Sequence, residues 1–380
     1  MTFRTLLTCL FAGMVLPMSA DTQTNGGNAY LLSQSVDVSR DFSDFTNTYF
    51  FADSLCSFDT ATGEGLISWK RHQLMPRQAF NANTYLHRPL RSLDFPDTAY
   101  PQDPVLGFSI EPVNGRTLRV RIHTSPVTPA EADSCSPMLA GPVGHDSSEW
   151  TVSRDGDAVT YASPYGRLTV RTHPWRLIVA DAEGNELTRT RAWSDNDSTQ
   201  IKVPPFSFIK RGSDNTRSIN PVLSLAPGER IYGLGEGPGA LDKVGQKLNL
   251  FVTDPQGPES PDMYKPIPFF FSNLGYGIFM HTSAPVTADV GQSYIGANKL
   301  FMADEDMDFF IFWGKPKEIL SEYTAISGRP EMPPTWSFGT WMSRISYFTE
   351  DEGREVAAKL QQHRIPADVI HFDTGWFDVD

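Results

Sequence analysis

Residues Val369 to Phe377 read VIHFDTGWF. An apolar, β-branched start followed by Asp373 and Gly375 describes a short buried strand. It delivers a carboxylate at its C-terminal end and then turns into a loop carrying Trp376 and Phe377. Working backward, Pro366 closes the preceding connection, and Ala367 to Phe372 make up the strand. Thr349 with Glu352 three residues on forms a capping box, and Asp351 suits the first turn of the helix it opens. Val356 and Leu360 share one face of that helix. Before it, WSFGTWM (Trp336 to Met342) is an apolar run without alternation, as expected of a strand covered on both faces. Strand, helix and strand make one βαβ unit, the building block of a parallel sheet or barrel. The 46 residues from Thr335 to Asp380 fall far short of the ~250 that an eight-stranded barrel needs. The expectation is a fragment of a longer protein.

Upstream the character is different. PKEILSEYTAISG (Pro316 to Gly328) has proline early, apolar residues at Ile319, Leu320, Tyr323 and Ile326, and glycine as a stop, which predicts a helix. RPEMPPTW after it is a proline-rich joint suited to a domain boundary. From about Asn28 to Met302 the signals are those of a β protein. TLRVRIHT (Thr117 to Thr124) and RLTVRTH (Arg167 to His173) alternate with period two, which predicts one face on a core and one in water. RLIVADAEGNEL (Arg176 to Leu187) predicts two strands around Glu183-Gly184-Asn185, and Pro268 to Ser283 two more around Asn273-Leu274-Gly275. Many short strands with Gly and Pro punctuation point to a sandwich. The chain shows no internal repeat and no low-complexity tract.

The chain has 380 residues and a formal net charge of −13. That length accommodates two or three domains. An acidic chain without a basic run speaks against a nucleic-acid partner, because phosphate neutralisation supplies most of such affinity. The first twenty residues, with Arg4, an apolar core from Leu6 to Leu16, Pro17, and Ser19-Ala20, read as a signal peptide and predict export. No other segment is apolar enough to span a bilayer. Removing the signal leaves Cys56 and Cys135, which could pair in an oxidising compartment or remain two thiols. Their spacing resembles no zinc site.

Several segments, in order, resemble glycoside hydrolase family 31, which contains α-glucosidases and α-xylosidases. IYGLGE (Ile231 to Glu236) is similar to the family's N-domain signature, and IPFFFSNLGYGIFMH to the hairpin after it. RPEMPPTWSFGTW is similar to the entry into the catalytic barrel, and HRIPADVIHFDTGWF to its second strand. WMSRISYFTEDEGREVAAKL is closest to the α-xylosidase-like branch. The specific motifs cover roughly Leu223 to Asp380. In one departure, Gly237 and Pro238 follow Glu236, where the family commonly has an arginine and an aromatic residue. The resemblance implies an all-β sandwich, the galactose-mutarotase-like N-domain, followed by the first βαβ unit of an incomplete (β/α)8 TIM barrel. The expected divisions are 1–20 signal peptide, 21–315 sandwich, 316–334 connecting helix and proline-rich joint, and 335–380 start of the barrel.

Hydrolysis with retention uses two carboxyl groups about 5–5.5 Å apart. The resemblance implies that both are aspartates on later barrel strands, so no catalytic residue is expected before residue 380. Asp373 corresponds to a family aspartate that binds sugar hydroxyls; the plain alternative is a carboxylate capping the next turn. Trp376 and Phe377 are candidates to face the sugar ring, and Trp341 and Tyr347, after the first strand, to line the same pocket. Core packing is the alternative for each. His371 faces the same side of its strand as Asp373. It reads as a packing or supporting residue, and no metal or other cofactor is expected. Glu236 reads as structural, and Asp378 and Asp380 as exposed loop acids. The expected partner is an oligo- or disaccharide substrate, with homo-oligomerisation of the full-length protein left open. The reading is the N-terminal fragment of an exported retaining α-glycoside hydrolase, inactive by itself. The rival is a non-catalytic carbohydrate-binding β-sandwich protein.

Overall fold

A computed structural model describes residues 36–75, 86–89, 102–126, 136–195, 203–253 and 262–376. The signal segment, Cys135, Phe377, Asp378 and Asp380 lie outside the described residues; Cys56 is exposed. The chain divides into two compact units at Ser327–Gly328.

The first unit is built on a fifteen-stranded antiparallel sheet. Its order is Ile231–Gly233, Phe269–Ser272, Tyr276–Met280, Asp306–Trp313, Thr117–His123, Val105–Asn114, Glu64–Met75, Thr48–Phe58, Ser207–Lys210, Arg217–Asn220, Ala297–Met302, Val286–Val290, Gln246–Leu250. Val222–Ser224 and Leu86–Pro89 pair off this path. A second sheet of five strands runs as a meander from Thr151–Asp155 through Ala158–Ala162, Gly166–Arg171 and Arg176–Asp181 to Glu186–Arg189. The apolar faces meet: Leu118, Val120 and Ile122 of the large sheet share one core with Val159, Leu168, Val170, Leu177 and Val179 of the meander. Each such side chain, taken out of water, contributes about 1.5–3 kcal/mol. The Trp313 indole N–H donates to the Ala180 carbonyl at 2.9 Å, tying the layers together. This is the sandwich expected from the strand signals.

Both hairpins lie where the turn residues place them, Arg176–Asp181 with Glu186–Arg189 and Phe269–Ser272 with Tyr276–Met280. The alternation predicted for Arg167 to His173 holds through Arg171, where the strand ends, with Leu168 and Val170 buried. The strand Thr117–His123 departs from expectation, because its second face is covered too. Arg119 is 3% exposed and forms a two-point ion pair with Asp308 on the neighbouring strand, at 2.8 and 2.5 Å. That outer face continues into Phe279, Phe310 and Phe312, on which the helix Pro316–Ser327 lays Ile319, Tyr323 and Ile326. Tyr323 stacks on Phe269 with centroids 4.1 Å apart. Leu320, read as part of the apolar stripe, is 41% exposed, since Ile319, Tyr323 and Ile326 at spacings of four and three complete the contact.

The second unit holds the βαβ pattern. Strands Trp341–Arg344 and Val369–Phe372 pair in parallel, with Trp341 opposite Val369 and Ser343 opposite His371. The helix Glu350–Gln362 between them starts at Thr349, whose side chain accepts the Glu352 N–H. The Glu352 carboxylate reaches back to the Phe348 N–H at 2.7 Å. Gly353 lets the helix approach Phe372, because a Cβ there would lie 2.2 Å from its ring. One expectation needs correcting. The run Trp336 to Met342 is not a single strand. Thr335–Phe338 winds into a 3-10 turn, held by the Ser337 N–H and hydroxyl on the Pro334 carbonyl at 3.0 and 2.7 Å, and the strand begins only at Trp341. Nor are both faces covered: Trp336, Phe338 and Trp341 are all more than half exposed.

Candidate substrate-binding site

Asp373 stands immediately after the strand Val369–Phe372. Its Oδ1 accepts the N–H of Thr374 at 2.7 Å, and its carbonyl accepts the N–H of Trp376 at 3.3 Å. The 3-10 turn Thr374–Trp376 is thereby fixed to the strand end. The second carboxylate oxygen has no partner among the described residues. The turn-capping role and the ligand-accepting role are therefore compatible, since an ionised carboxylate has lone pairs for both.

Side-chain alternation decides which residues share the Asp373 side. Trp341, Ser343, Val369 and His371 point one way; Phe372 points the other way, toward Gly353 of the helix. His371 Nδ1 lies 2.8 Å from the Ser343 hydroxyl, and its ring centroid is 6.4 Å from that of Trp341. The Trp341 indole N–H donates to the Ser337 carbonyl at 2.9 Å, which anchors a ring that is otherwise 53% exposed. Trp376 is equally exposed on the turn behind Asp373. His371 and Asp373 thus share one face, but Trp341 opens its strand opposite Val369 and stands at the N-terminal end of the pair, away from Asp373 at the C-terminal end. Sequence reading did not single out Ser343, although its place in the run opposite His371 was a signal available to it.

Tyr347 stands apart from that surface. It is fully buried, with its ring 5.0 Å from Phe372 and the Arg344 guanidinium 4.8 Å from its centroid. Its hydroxyl has no hydrogen-bond partner among the described residues. In the first unit Glu236 is exposed and pairs with Lys265 at 3.2 Å. Among the described residues no group of three or more His, Cys, Asp or Glu side chains could hold a metal ion. No helix among them is long and apolar enough to cross a membrane.

Two family models match this chain. The Glycosyl hydrolase 31 N-terminal galactose mutarotase-like domain matches residues 107–289, and the Glycosyl hydrolases family 31 TIM-barrel domain matches residues 330–380. The chain belongs to glycoside hydrolase family 31. Among curated family relatives, the alpha-xylosidase XylQ of Lactiplantibacillus pentosus is 34% identical over 183 residues, 47% of this chain and 24% of its own length. Alpha-glucosidase 2 of Bacillus thermoamyloliquefaciens is 35% identical over 266 residues, 68% of this chain and 31% of its own. This family 31 chain therefore spans only about a quarter to a third of these relatives. Among solved structures, the Flavobacterium johnsoniae family 31 dextranase complexed with glucose superposes with a TM-score of 0.61 at 21% identity. The match covers 86% of this chain and 34% of the dextranase. A family 31 alpha-xylosidase from a soil metagenome, complexed with xylose, gives 0.57 at 23% identity, over 70% of this chain and 38% of that one. At these identities the likeness speaks for the fold.

Proposed function

We propose that this chain is the N-terminal part of an exported, retaining α-glycosidase that cleaves the O-glycosyl bonds of α-xylosides or α-glucosides. The observation that carries the reading is the strand-end Asp373, with one oxygen committed to its turn and one open, inside the segment matched by the family's barrel model. Ligand sites of such barrels collect at the C-terminal ends of the strands. An open carboxylate oxygen there accepts sugar hydroxyls, and Trp376 on the adjoining turn supplies an apolar face for a ring. The names of the relatives support both substrate classes. The leader-like first twenty residues support export. Nucleophile and acid/base are assigned to aspartates on later strands of the family's barrel, and Asp373 to binding.

The test has two parts. The purified 380-residue chain is assayed with aryl α-xyloside and α-glucoside, with no turnover expected. The natural protein, isolated from its source, is then weighed intact and assayed. A mass well above that of 380 residues together with hydrolysis that retains the anomeric configuration supports the reading. Turnover by the 380-residue chain, or a natural protein of this length, overturns it.

A further inference from the structure

A second small site lies on the sandwich, built from strands that the proposed chemistry does not use. A pocket of about 210 Å³ is lined by Phe51, Asp53, Lys70, Arg71, His72, Asp103 and Trp193 among others. His72 is its most informative wall. The residue is 4% exposed, and its ring packs against Phe51 at 4.5 Å and Trp193 at 4.6 Å, whose own rings lie 5.3 Å apart. Nδ1 lies 3.1 Å from the Lys70 carbonyl. A carbonyl can only accept, so Nδ1 carries the proton, and Nε2 of the neutral ring is an acceptor. No partner for Nε2 occurs among the described residues. That acceptor is therefore available to a ligand in the pocket.

The rest of the lining says what that ligand is. Asp103 accepts from the Arg71 backbone N–H at 3.0 Å and from Lys70 Nζ at 3.3 Å. Two carboxylates and two cationic side chains balance, which disfavours a ligand with net charge. The two cations also argue against a metal ion. A half-buried indole beside hydrogen-bonding groups of both kinds suits a ring with hydroxyls at its edge and C–H groups on its face. The volume is below the ~300–1,000 Å³ of drug-sized sites, so it holds a single ring and no longer chain.

We propose that this pocket is a subsite for one sugar ring, with the His72 Nε2, Asp53 and Asp103 accepting its hydroxyls and Trp193 covering its apolar face. The choice of sugars among neutral polyols rests on the glycosidase reading above; the site is separate from Asp373. Calorimetric titration of the 380-residue chain with D-xylose and with D-glucose is expected to give saturable binding of at least one, with Kd on the order of 1–10 mM. His72→Phe keeps the ring stack and removes the acceptor, and is expected to weaken binding at least tenfold. Asp103→Asn changes an exposed carboxylate, and is expected to weaken it several-fold even if the first variant does not fold. Asp373→Asn separates the two sites, and binding that survives it supports the pocket. Absence of saturable binding, a folded His72 or Asp103 variant that binds like the unaltered chain, or binding that vanishes with Asp373→Asn overturns the proposal. The first two of these outcomes leave the glycosidase reading standing.

Discussion

One oxygen of the Asp373 carboxylate is engaged by the turn behind it, so substitution must be chosen to spare that bond. Asn keeps an acceptor for the Thr374 N–H and removes the charge. In the complete glycosidase proposed above, Asp373→Asn is expected to cost about 2–3 kcal/mol of transition-state binding, or roughly 30–150-fold in kcat/KM. A fall of less than threefold removes Asp373 from the site. His72 makes a prediction of another kind. Burial lowers its pKa from the ordinary 6.5 to about 4, against the Lys70 carbonyl and the nearby Asp103 and Asp53, which favour protonation, and with Lys70 opposing it. Between those two values the unfolded chain holds a proton at His72 that the folded chain does not. Its stabilisation is therefore complete above about pH 6.5 and lost as pH falls toward 4, by about 3 kcal/mol in all. Denaturant titrations across that window, compared with His72→Phe, are expected to show the steeper pH dependence in the unaltered chain. Asp373 was legible in sequence because strand, carboxylate and turn are contiguous. The His72 pocket was not, because its walls come from residues 51–53, 70–72, 103 and 193, which only the sheet brings together.

At the scale of elements, local chemistry was readable and long-range pairing was not. The turns at Glu183-Gly184-Asn185 and Asn273-Leu274-Gly275 announced their hairpins, and Thr349 with Glu352 announced its helix. Period-two alternation at Thr117 to Thr124 showed one core face but could not show that Asp308, far along the chain, would cover Arg119 on the other. The Trp336 to Met342 run misled because its apolar content carries no period, and the Pro334–Ser337 bonds favour a turn. Gly235, in the family's N-domain signature, shows how tightly such an element is fitted. Its φ is +91°, and a Cβ there would stand 2.2 Å from the Lys265 carbonyl oxygen. Gly235→Ala combines backbone strain with a clash against main chain that has no side-chain freedom to yield. A loss on the order of 1–3 kcal/mol is expected from the strain alone. A thermal melt within about 1 °C of the unaltered chain's would contradict that fit.

On the scale of the whole molecule, the two units differ in what they can bury. The first has two facing sheets and a continuous apolar interior. The second has two strands and one helix, with Trp336, Phe338, Trp341, Ile345, Phe348 and Trp376 all more than half exposed. Three or more strands with an apolar face are ordinarily needed for independent stability. Cleavage after Glu331, where Met332 is 89% exposed, is therefore expected to leave the β unit with an unchanged melting temperature. The released C-terminal piece should lose its secondary structure. A cut that lowers the melting temperature of the β unit would show that its stability draws on the βαβ unit. The sheet order has a temporal side as well. Arg119 meets Asp308, its ion-pair partner on the adjoining strand, 189 residues later in the chain. At ~5–20 residues per second a ribosome needs roughly 10–40 s to cover that interval. Until then the edge of the strand Thr117–His123 that Asp306–Trp313 later covers stands open on the nascent chain, an unpaired row of N–H and C=O groups able to pair with another strand.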